Sequence, residues 1–339
     1  MLVRKKVIAM ETPDPPVEKA ERTEMAKPPV ANLVPVTTPE REPARPRPRA
    51  VPARRKSVQV TRPMRNIGET LVEDGKLTVA EVQQVWDLHQ RHGMRFGEAA
   101  LQLELVTRDD VRRALAKQHD FCYLEPGESG VGREIVAAYD PYHQRVEEFR
   151  VLRTQLLTRW LGAATRHRTL AIVSAGPTEG RSYITANLAV VFAQLGHRTL
   201  LVDADMRCSR QHCLFGLSDR VGLSAVLSGR CDLDAARPIP GMNGLWVLPA
   251  GPFPPNPQEL LSRKAFAALL QRAEANFDVV LVDTPPARAC ADAQTVAFRA
   301  GAALMLVRKD RTRVPEASEV IRELRDSRVN IIGTVINAF

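Results

Sequence analysis

The feature that most constrains this chain is a glycine-containing loop, residues 174–183, between an apolar strand and an apolar helix. Residues 169–173 are β-branched and apolar, which is typical of a buried strand. Residues 175–182 then follow the phosphate-loop pattern of Ala or Gly, four residues, Gly, Lys, and Ser or Thr, except that Arg181 replaces the lysine. Successive backbone N–H groups beside a helix N-terminus form a concave anion site, so the segment predicts a bound nucleotide phosphate.

The loop residues have separate predicted roles. Glycine lets the backbone approach phosphate oxygens closely, and the Ser182 hydroxyl is a predicted Mg²⁺ ligand. Arg181 keeps the charge of lysine but carries it on a broader planar fork. The residues predicted to contact the nucleotide are Gly176, Pro177, Thr178, Glu179, Gly180, Arg181, Ser182 and Tyr183.

Three carboxylates follow two further apolar runs. Asp203 and Asp205 end the first run, with Arg207 two residues on, and Asp283 ends the second. The carboxyl ends of parallel strands meet at one edge of a sheet, so these acids are expected beside the phosphate loop. Hard oxygen ligands there suit Mg²⁺ bound together with nucleotide phosphates. The alternative is that the acids only form turns at strand ends.

The first 63 residues differ in composition from the rest. They contain 12 of the 25 prolines, no aromatic residue, and 14 Lys and Arg against seven Asp and Glu. Such a segment buries too little apolar surface to order itself, which predicts a disordered Pro- and Arg-rich tail. It is either a solvated linker or a cationic contact for anionic lipid or an acidic partner. Because the basic charge belongs to this tail, no nucleic-acid partner is expected for the folded part.

Residues 64–125 contain an internal repeat, offset by 29 residues between Gly68 and Gly97. Each copy continues into an amphipathic helix, predicted at 79–89 and 108–119. Thr78 and Thr107 are the predicted N-caps of these helices, with acidic residues following. Two such units predict a compact, mostly helical domain.

From residue 169 onward, strands and helices alternate, which predicts an α/β fold with a parallel sheet and helices on both faces. This domain is assigned to residues 146–339, and the Gly- and Pro-containing residues 126–145 are assigned to a linker. The predicted strands are 169–173, 198–203, 245–248, 278–283, 302–308 and 330–337, and the predicted helices are 181–195, 257–277, 291–300 and 315–326.

The repeat resembles the N-terminal domain of type II secretion and pilus ATPases, some of which bind cyclic di-GMP. The shared pattern is R-L-G followed by a helix and L-x-x-x-L-x-x-Q, and the first copy has Asn66 where Arg is expected. The resemblance implies either a small protein-docking module, which is favoured, or a cyclic di-GMP site. The residues for the second interpretation are Arg65, Gly68, Arg95, Gly97 and Gln118.

Residues 145–339 resemble the cytoplasmic kinase domain of bacterial tyrosine kinases of polysaccharide export, nearest the exopolysaccharide chain-length-determinant subfamily. Two departures from the family pattern are Arg181 and the absence of a C-terminal tyrosine cluster. Because that cluster is absent, Tyr139 and Tyr142 are the expected substitute acceptors. The matching residues are Glu147, Arg150 and Arg153 in E-x-x-R-x-x-R, Asp203, Asp205 and Arg207 in D-x-D-x-R, Asp283 and Pro285 in D-x-P, the Pro-rich loop 248–261, and the last strand with Asn337.

The resemblance implies a cytoplasmic Mg²⁺- and ATP-dependent protein-tyrosine autokinase and ATPase that regulates exopolysaccharide polymerisation, chain length and export. It places Arg181 on the β- and γ-phosphate oxygens. Activity is expected to be reduced because the cation is displaced, but not lost because the charge still stabilises the transferred group. Mg²⁺ is expected on Ser182 and Asp203, with Asp283 behind a water molecule. Asp205 is expected to deprotonate the acceptor and Arg207 to fix that carboxylate. Asn337 is expected near the base.

The resemblance also implies partners. Glu147, Arg150 and Arg153 lie at i, i+3 and i+6, and in the family this helix mediates ring-like self-association, although spacing alone favours a solvated face. An inner-membrane polysaccharide copolymerase is the implied partner, which would make the chain peripheral to that membrane. Two alternatives stay open: an ATP-gated assembly switch without tyrosine phosphorylation, and a partition-type positioning ATPase. The second is disfavoured because residues 175–177 lack its early lysine.

Overall fold

The structure is a computed structural model that describes residues 66–118, 123–124, 127, 129–162 and 168–338. The predicted tail at 1–63 and Arg65 lie outside the described residues. Within the described part of the chain, no helix is both long enough and apolar enough to cross a membrane.

Each copy of the repeat forms a short helix followed by a longer one. The four helices are α1 (Ile67–Glu73), α2 (Val79–His92), α3 (Phe96–Gln102) and α4 (Arg108–Gln118). The predicted N-caps of the longer helices are confirmed: the Thr78 hydroxyl accepts from the Glu81 N–H at 3.3 Å, and the Thr107 hydroxyl accepts from the Asp110 N–H at 3.2 Å. The apolar faces meet in their own core cluster, which includes Leu71, Val85, Ala99, Ala100 and Ala114.

The rest of the described chain contains the predicted sheet with helices on both faces, and the sheet has a seventh strand, β3, that was not predicted. The strand order is β3-β4-β2-β5-β1-β6-β7, and only the short β3 is antiparallel. The strands are β1 (Thr169–Ser174), β2 (Thr199–Asp203), β3 (Arg237–Pro238), β4 (Leu245–Leu248), β5 (Val279–Asp283), β6 (Ala302–Arg308) and β7 (Asn330–Asn337). The helices are α5 (Val136–Tyr139), α6 (Gln144–Leu156) with a π-helical turn (Leu157–Leu161), α7 (Arg181–Gln194), α8 (Gln211–Leu214), α9 (Leu223–Leu227), a 3₁₀ turn (Leu233–Ala235), α10 (Pro257–Ser262), α11 (Lys264–Asn276), α12 (Asp292–Ala300) and α13 (Val314–Asp326).

Both faces of the sheet are buried, which explains why its strands are apolar throughout. Successive strand side chains point to opposite faces, so Leu170 and Ile172 enter one core cluster while Ala171 and Val173 enter the other. A parallel sheet covered on both faces requires such continuous apolar runs. The carboxyl ends of β1, β2 and β5 therefore open together at one edge of the sheet.

The predicted helix at 257–277 is two helices. Arg263 adopts an extended conformation (φ −64°, ψ 154°) between α10 and α11. This bend lets Leu261 from α10 and Phe266 from α11 both bury in the same core cluster. No Pro or Gly marks the bend, so packing rather than local sequence causes it.

The prediction of a linker at 126–145 is wrong for residues 129–143, here called the strap. Ile135, Ala137 and Ala138 are fully buried in the same core cluster as α7. The Ala137 N–H donates to Asn187 Oδ1 at 3.0 Å, and the Gln194 amide donates to the Ala137 carbonyl at 2.8 Å. Apolar burial outweighs the Gly and Pro content that suggested a linker.

Replacing Gly216 with alanine is expected to lower stability by about 2–4 kcal/mol. Gly216 has φ +62°, and an added Cβ would lie 2.1 Å from the carbonyl oxygen of Gly130 in the strap, where no side chain can move aside. Gly229→Ala is the matched control, since φ is +73° and nothing lies within 4 Å. Urea unfolding should show the larger loss at position 216; equal losses would mean that the strap is not packed here.

Candidate nucleotide-binding site

The phosphate loop joins β1 to α7 through two residues in the left-handed region. Gly180, at φ +96°, is the N-cap of α7, and Thr178 has φ +58°, which is uncommon for a residue other than glycine. Alternation of right- and left-handed residues turns successive N–H groups toward one point and so forms a backbone anion site. The loop conformation therefore suits a phosphate at the N-terminus of α7.

Glu179 holds this loop together from inside. Its side chain accepts a hydrogen bond from the Gly176 N–H at 3.0 Å and another from the Thr312 hydroxyl. Its carbonyl accepts from the Asn337 amide at 2.8 Å, which ties the loop to the end of β7. Asn337 thus supports the loop, and its contact with a nucleotide base stays a prediction.

Arg181 is buried under the loop, with 7% of its surface exposed. Its Nε donates to the Thr284 carbonyl at 2.8 Å, and its Nη1 donates to the Gly176 carbonyl at 2.8 Å and to the Ser174 hydroxyl. These bonds tie the phosphate loop to the end of β1 and to the segment after β5. Arg181 therefore stabilises the conformation of the loop. Its contact with phosphate oxygens stays a prediction.

The two strand-end carboxylates that the sequence places at one edge are neighbours. Asp203 and Asp283 are paired in register on β2 and β5, and both are fully buried. Burial, followed by the charge of Asp283, raises the pKa of Asp203 well above its usual value. Burial raises the pKa of Asp283 to about 6, although hydrogen bonds from Ser182 and Gln211 act in the opposite direction. Two buried carboxylates on paired strand positions repel each other when ionised, and a bound cation would offset this repulsion.

The residues at this edge fit a Mg²⁺ ion. The Oδ1 atom of Asp283 is buried and accepts no hydrogen bond, and the Ser182 hydroxyl lies against the same carboxylate. Carboxylate and hydroxyl oxygens are the hard ligands that Mg²⁺ prefers. Among the described residues, no group of three His, Cys, Asp or Glu side chains suits a metal. Phosphate oxygens and water would therefore have to complete the coordination.

Gln211 is part of this site, and no sequence pattern predicted it. Its side-chain amide donates to Asp283 Oδ2 at 2.7 Å and to the Ser182 carbonyl at 3.1 Å, while its backbone N–H donates to Asp203 Oδ2 at 3.0 Å. One residue thus contacts both carboxylates and the start of α7. A neutral residue at the start of a short helix carries no recognisable pattern.

The prediction that Arg207 contacts the Asp205 carboxylate is wrong. Arg207 Nε and Nη2 donate to the two carboxylate oxygens of Asp292, at 2.8 and 3.2 Å. Asp205 instead accepts from the Cys208 N–H at 2.8 Å and donates its own N–H to Asp203 Oδ1 at 3.2 Å. The physical reason is that Asp292 is fully buried, and a buried carboxylate requires a cation partner.

The three predicted self-association residues of α6, Glu147, Arg150 and Arg153, do not share one exposed face. Arg150 pairs with Glu147 at 3.0 Å and also donates to the Tyr123 hydroxyl at 3.2 Å. Arg153 points toward α7, where it donates to the Val191 carbonyl at 2.7 Å, and burial lowers its pKa. Arg153 therefore fixes α6 on α7. Self-association through this helix stays a prediction.

The glycines of the repeat are explained by helix packing. A Cβ at Gly68 would lie 3.1 Å from Phe96 Cζ, and one at Gly97 would lie 2.8 Å from Val111 Cγ1. Arg95 is exposed, and Gln118 is half-buried on α4. The cyclic di-GMP prediction gains no support from these contacts.

The fold and the loop together define a nucleotide-binding α/β protein of the P-loop type. No family model matches the chain. The tyrosine-protein kinase YwqD of Bacillus subtilis (strain 168) is 35% identical over 209 residues, 62% of this chain and 87% of YwqD. A putative tyrosine-protein kinase in the cps region of Klebsiella pneumoniae is 34% identical over 232 residues, 68% of this chain and 31% of that protein. The kinase domain of Escherichia coli tyrosine kinase ETK superposes with a TM-score of 0.58 at 34% identity, covering 60% of this chain and 79% of that domain.

The chain belongs to the bacterial tyrosine-protein kinases, since it covers most of YwqD at 35% identity. This confirms the family resemblance stated from the sequence, and the sheet confirms the expected fold class. The chain spans less than a third of the Klebsiella protein, so the activity and partners of that whole protein do not carry over directly.

Proposed function

We propose that this chain transfers the γ-phosphoryl group of Mg²⁺-bound ATP to tyrosine. The observation that carries the proposal is the fully buried pair of Asp203 and Asp283 beside Ser182, at the end of a loop shaped to bind an anion. Burying two adjacent carboxylates is unfavourable without a cation. A divalent ion that also binds phosphate offsets that cost.

Each residue of the site has a proposed role in the transfer. The N–H groups of the first turn of α7 and of the loop, other than the Gly176 N–H that donates to Glu179, bind the phosphates. Ser182 and Asp203 would hold Mg²⁺, with Asp283 behind a water molecule; the ion would neutralise charge that develops on the phosphoryl oxygens. Asp205, at 4% exposure, orients the acceptor and takes its proton. The tyrosine Oη–phosphorus bond forms as the bond from the γ-phosphorus to the bridging oxygen breaks, which releases ADP.

The proposed setting is the control of exopolysaccharide polymerisation, chain length and export. The family membership and the cps-region relative support this setting. A polysaccharide copolymerase of the inner membrane is the proposed partner, with self-association through α6. Co-purification with the partner's cytoplasmic segment tests the contact with the partner. The molecular mass of the chain in solution tests self-association. Both are compared between wild type and Glu147→Ala. A wild-type chain that binds neither the segment nor itself would contradict this setting.

The structure favours Tyr142 over Tyr139 as the acceptor. Tyr142 is 58% exposed in the turn before α6. The Tyr139 hydroxyl donates to the Val131 carbonyl and lies 2.9 Å from the Ser129 hydroxyl, so it holds the strap closed. An acceptor tyrosine has to leave its position in the fold to enter an active site. The free-energy cost of that movement is lower for the exposed Tyr142 than for Tyr139, whose hydroxyl is bonded to residues 129 and 131.

Tyr142→Phe is therefore expected to remove most of the tyrosine phosphate that the chain acquires from ATP. Tyr139→Phe is the matched control, since it also removes one hydroxyl and lies three residues away. Site mapping by mass spectrometry, with total label counted for each variant, measures the effect. Undiminished label in Tyr142→Phe, or its loss only in Tyr139→Phe, would contradict the assignment.

A further inference from the structure

The carboxylate of Asp292 binds Arg207, the cation that follows the two site acids on the same loop. Both Asp292 oxygens accept from Arg207, at 2.8 and 3.2 Å, in the parallel two-bond geometry that is strongest for this pair. Asp292 is completely buried at the start of α12, while the Arg207 side chain is 41% exposed. One partner is thus fixed by the protein core, and the other is partly exposed to solvent.

The pair joins two segments that carry catalytic groups. Arg207 lies in the loop after β2, four residues beyond Asp203, and Asp292 follows the segment after β5, nine residues beyond Asp283. Nε and Nη2 form the pair, so Nη1 is not part of it, and the Cys290 thiol is a further neighbour of the guanidinium. A guanidinium held along one edge presents its remaining donors in a fixed direction, which is how arginine recognises phosphoryl oxygens.

We propose that Asp292 is a positioning residue that orients Arg207 toward the oxygens of the transferred phosphoryl group. This inference rests on the phosphoryl transfer proposed above. Asp292 touches no substrate; it acts by fixing the guanidinium before ATP and the acceptor arrive. A preset cation needs no reorganisation during the reaction, and that is the source of its catalytic effect.

The chain offers a matched control at the opposite ends of the same two strands. Arg198, just before β2, donates to both oxygens of Asp278, just before β5, at 3.3 and 3.2 Å. This pair has the same chemistry and links the same strands, but it lies at the edge away from the phosphate loop. Loss of either pair affects stability, whereas only loss of the Arg207–Asp292 pair should affect transfer.

The test compares Asp292→Asn with Asp278→Asn in the full chain, with kcat and KM for ATP measured by transfer of labelled γ-phosphate. Asp292→Asn is expected to lower kcat by about tenfold to a hundredfold, because a misdirected catalytic group costs about that much, with KM for ATP within about twofold. Asp278→Asn is expected to leave kcat unchanged. Arg207→Lys, which keeps the charge and leaves the buried position intact, should lower kcat similarly.

Two results would overturn the inference. The first is an equal kcat for Asp292→Asn and Asp278→Asn. The second is a double variant, Arg207→Lys with Asp292→Asn, whose kcat loss is the product of the single losses, since residues that act as a unit are not additive. If the wild-type chain transfers no phosphate, the proposed function fails and this inference fails with it. An active wild type with an unaffected Asp292→Asn variant overturns the inference alone.

Discussion

Asp283→Asn is expected to stabilise the metal-free chain at neutral pH by about 1–3 kcal/mol while lowering phosphoryl transfer. Asp283 is fully buried, lies beside Asp203, and has a pKa of about 6, raised mainly by burial. A rise from 3.8 to about 6 corresponds to about 3 kcal/mol of stability lost when the carboxylate ionises in the folded state. Asparagine keeps the shape and an acceptor for Gln211, and it removes the charge.

The sign of the pH dependence follows from the raised pKa. The folded chain binds the proton of Asp283 more tightly than the unfolded chain, so stability falls as the pH rises from about 4 to about 6. The wild-type and Asp283→Asn chains should therefore differ little at pH 4 and most above pH 6. Thermal unfolding in a chelator measures this, with an expected gain of about 3–10 °C at pH 7.5.

Saturating Mg²⁺ and ATP should reverse the difference, because ligand binding stabilises only the chain that binds. Asp278→Asn serves as the control, since Asp278 lies at the other end of the same strand and pairs with Arg198. That variant should lose stability at neutral pH. A loss of stability in Asp283→Asn at pH 7.5, equal to that of Asp278→Asn, would contradict the account of the buried pair.

Arg181→Ala is expected to destabilise the nucleotide-free chain by about 2–5 kcal/mol. Removing the guanidinium leaves the Thr284 carbonyl and the Ser174 hydroxyl oxygen without their donor in a buried region, while the Gly176 carbonyl keeps only its bond from the Ser174 hydroxyl. Each unsatisfied buried acceptor costs about 1–3 kcal/mol. Loss of these bonds also frees the phosphate loop from the segment after β5, so ATP affinity should fall with stability.

The Arg181→Lys variant distinguishes the contribution of the positive charge from that of the planar guanidinium, because lysine keeps only the charge. A single ammonium group cannot reach the three acceptors in the same planar geometry, so an intermediate loss of stability is expected. Its transfer rate should stay within about tenfold of wild type, since the charge near the phosphates is kept. Urea unfolding and titration with ATP are the measurements. Equal stability of Arg181→Ala and wild type would show that the arginine does not support the loop.

The sequence was sufficient to predict the six parallel strands because each has its own local pattern, whereas the two-residue β3 has none. The strand predicted at 278–283 is observed at Val279–Asp283, and the one predicted at 302–308 is observed at Ala302–Arg308. Since parallel strands end at one edge, the sequence also predicted that Asp203 and Asp283 meet. Both predictions depend on residues close together in the chain and on one general rule of topology.

Contacts between residues far apart in the chain could not be predicted from the sequence. Asp292 lies 85 residues from Arg207, and an acid at the start of a helix is common enough to carry no signal. The strap was misread because Ile135 and its neighbours are too few to form a periodic pattern. Arg181 could be identified as a departure from the phosphate-loop pattern, but its acceptors on β1 and after β5 are known only from the fold.

The most direct test of the proposed function is transfer of labelled γ-phosphate from ATP to tyrosine by the purified full chain. The reaction is run with and without Mg²⁺, with and without the partner's cytoplasmic segment, and with Asp203→Asn as the control. The account predicts label on tyrosine that requires Mg²⁺ and disappears in Asp203→Asn. ATP binding or hydrolysis by the wild type with no label on tyrosine would contradict it and favour the ATP-gated assembly switch.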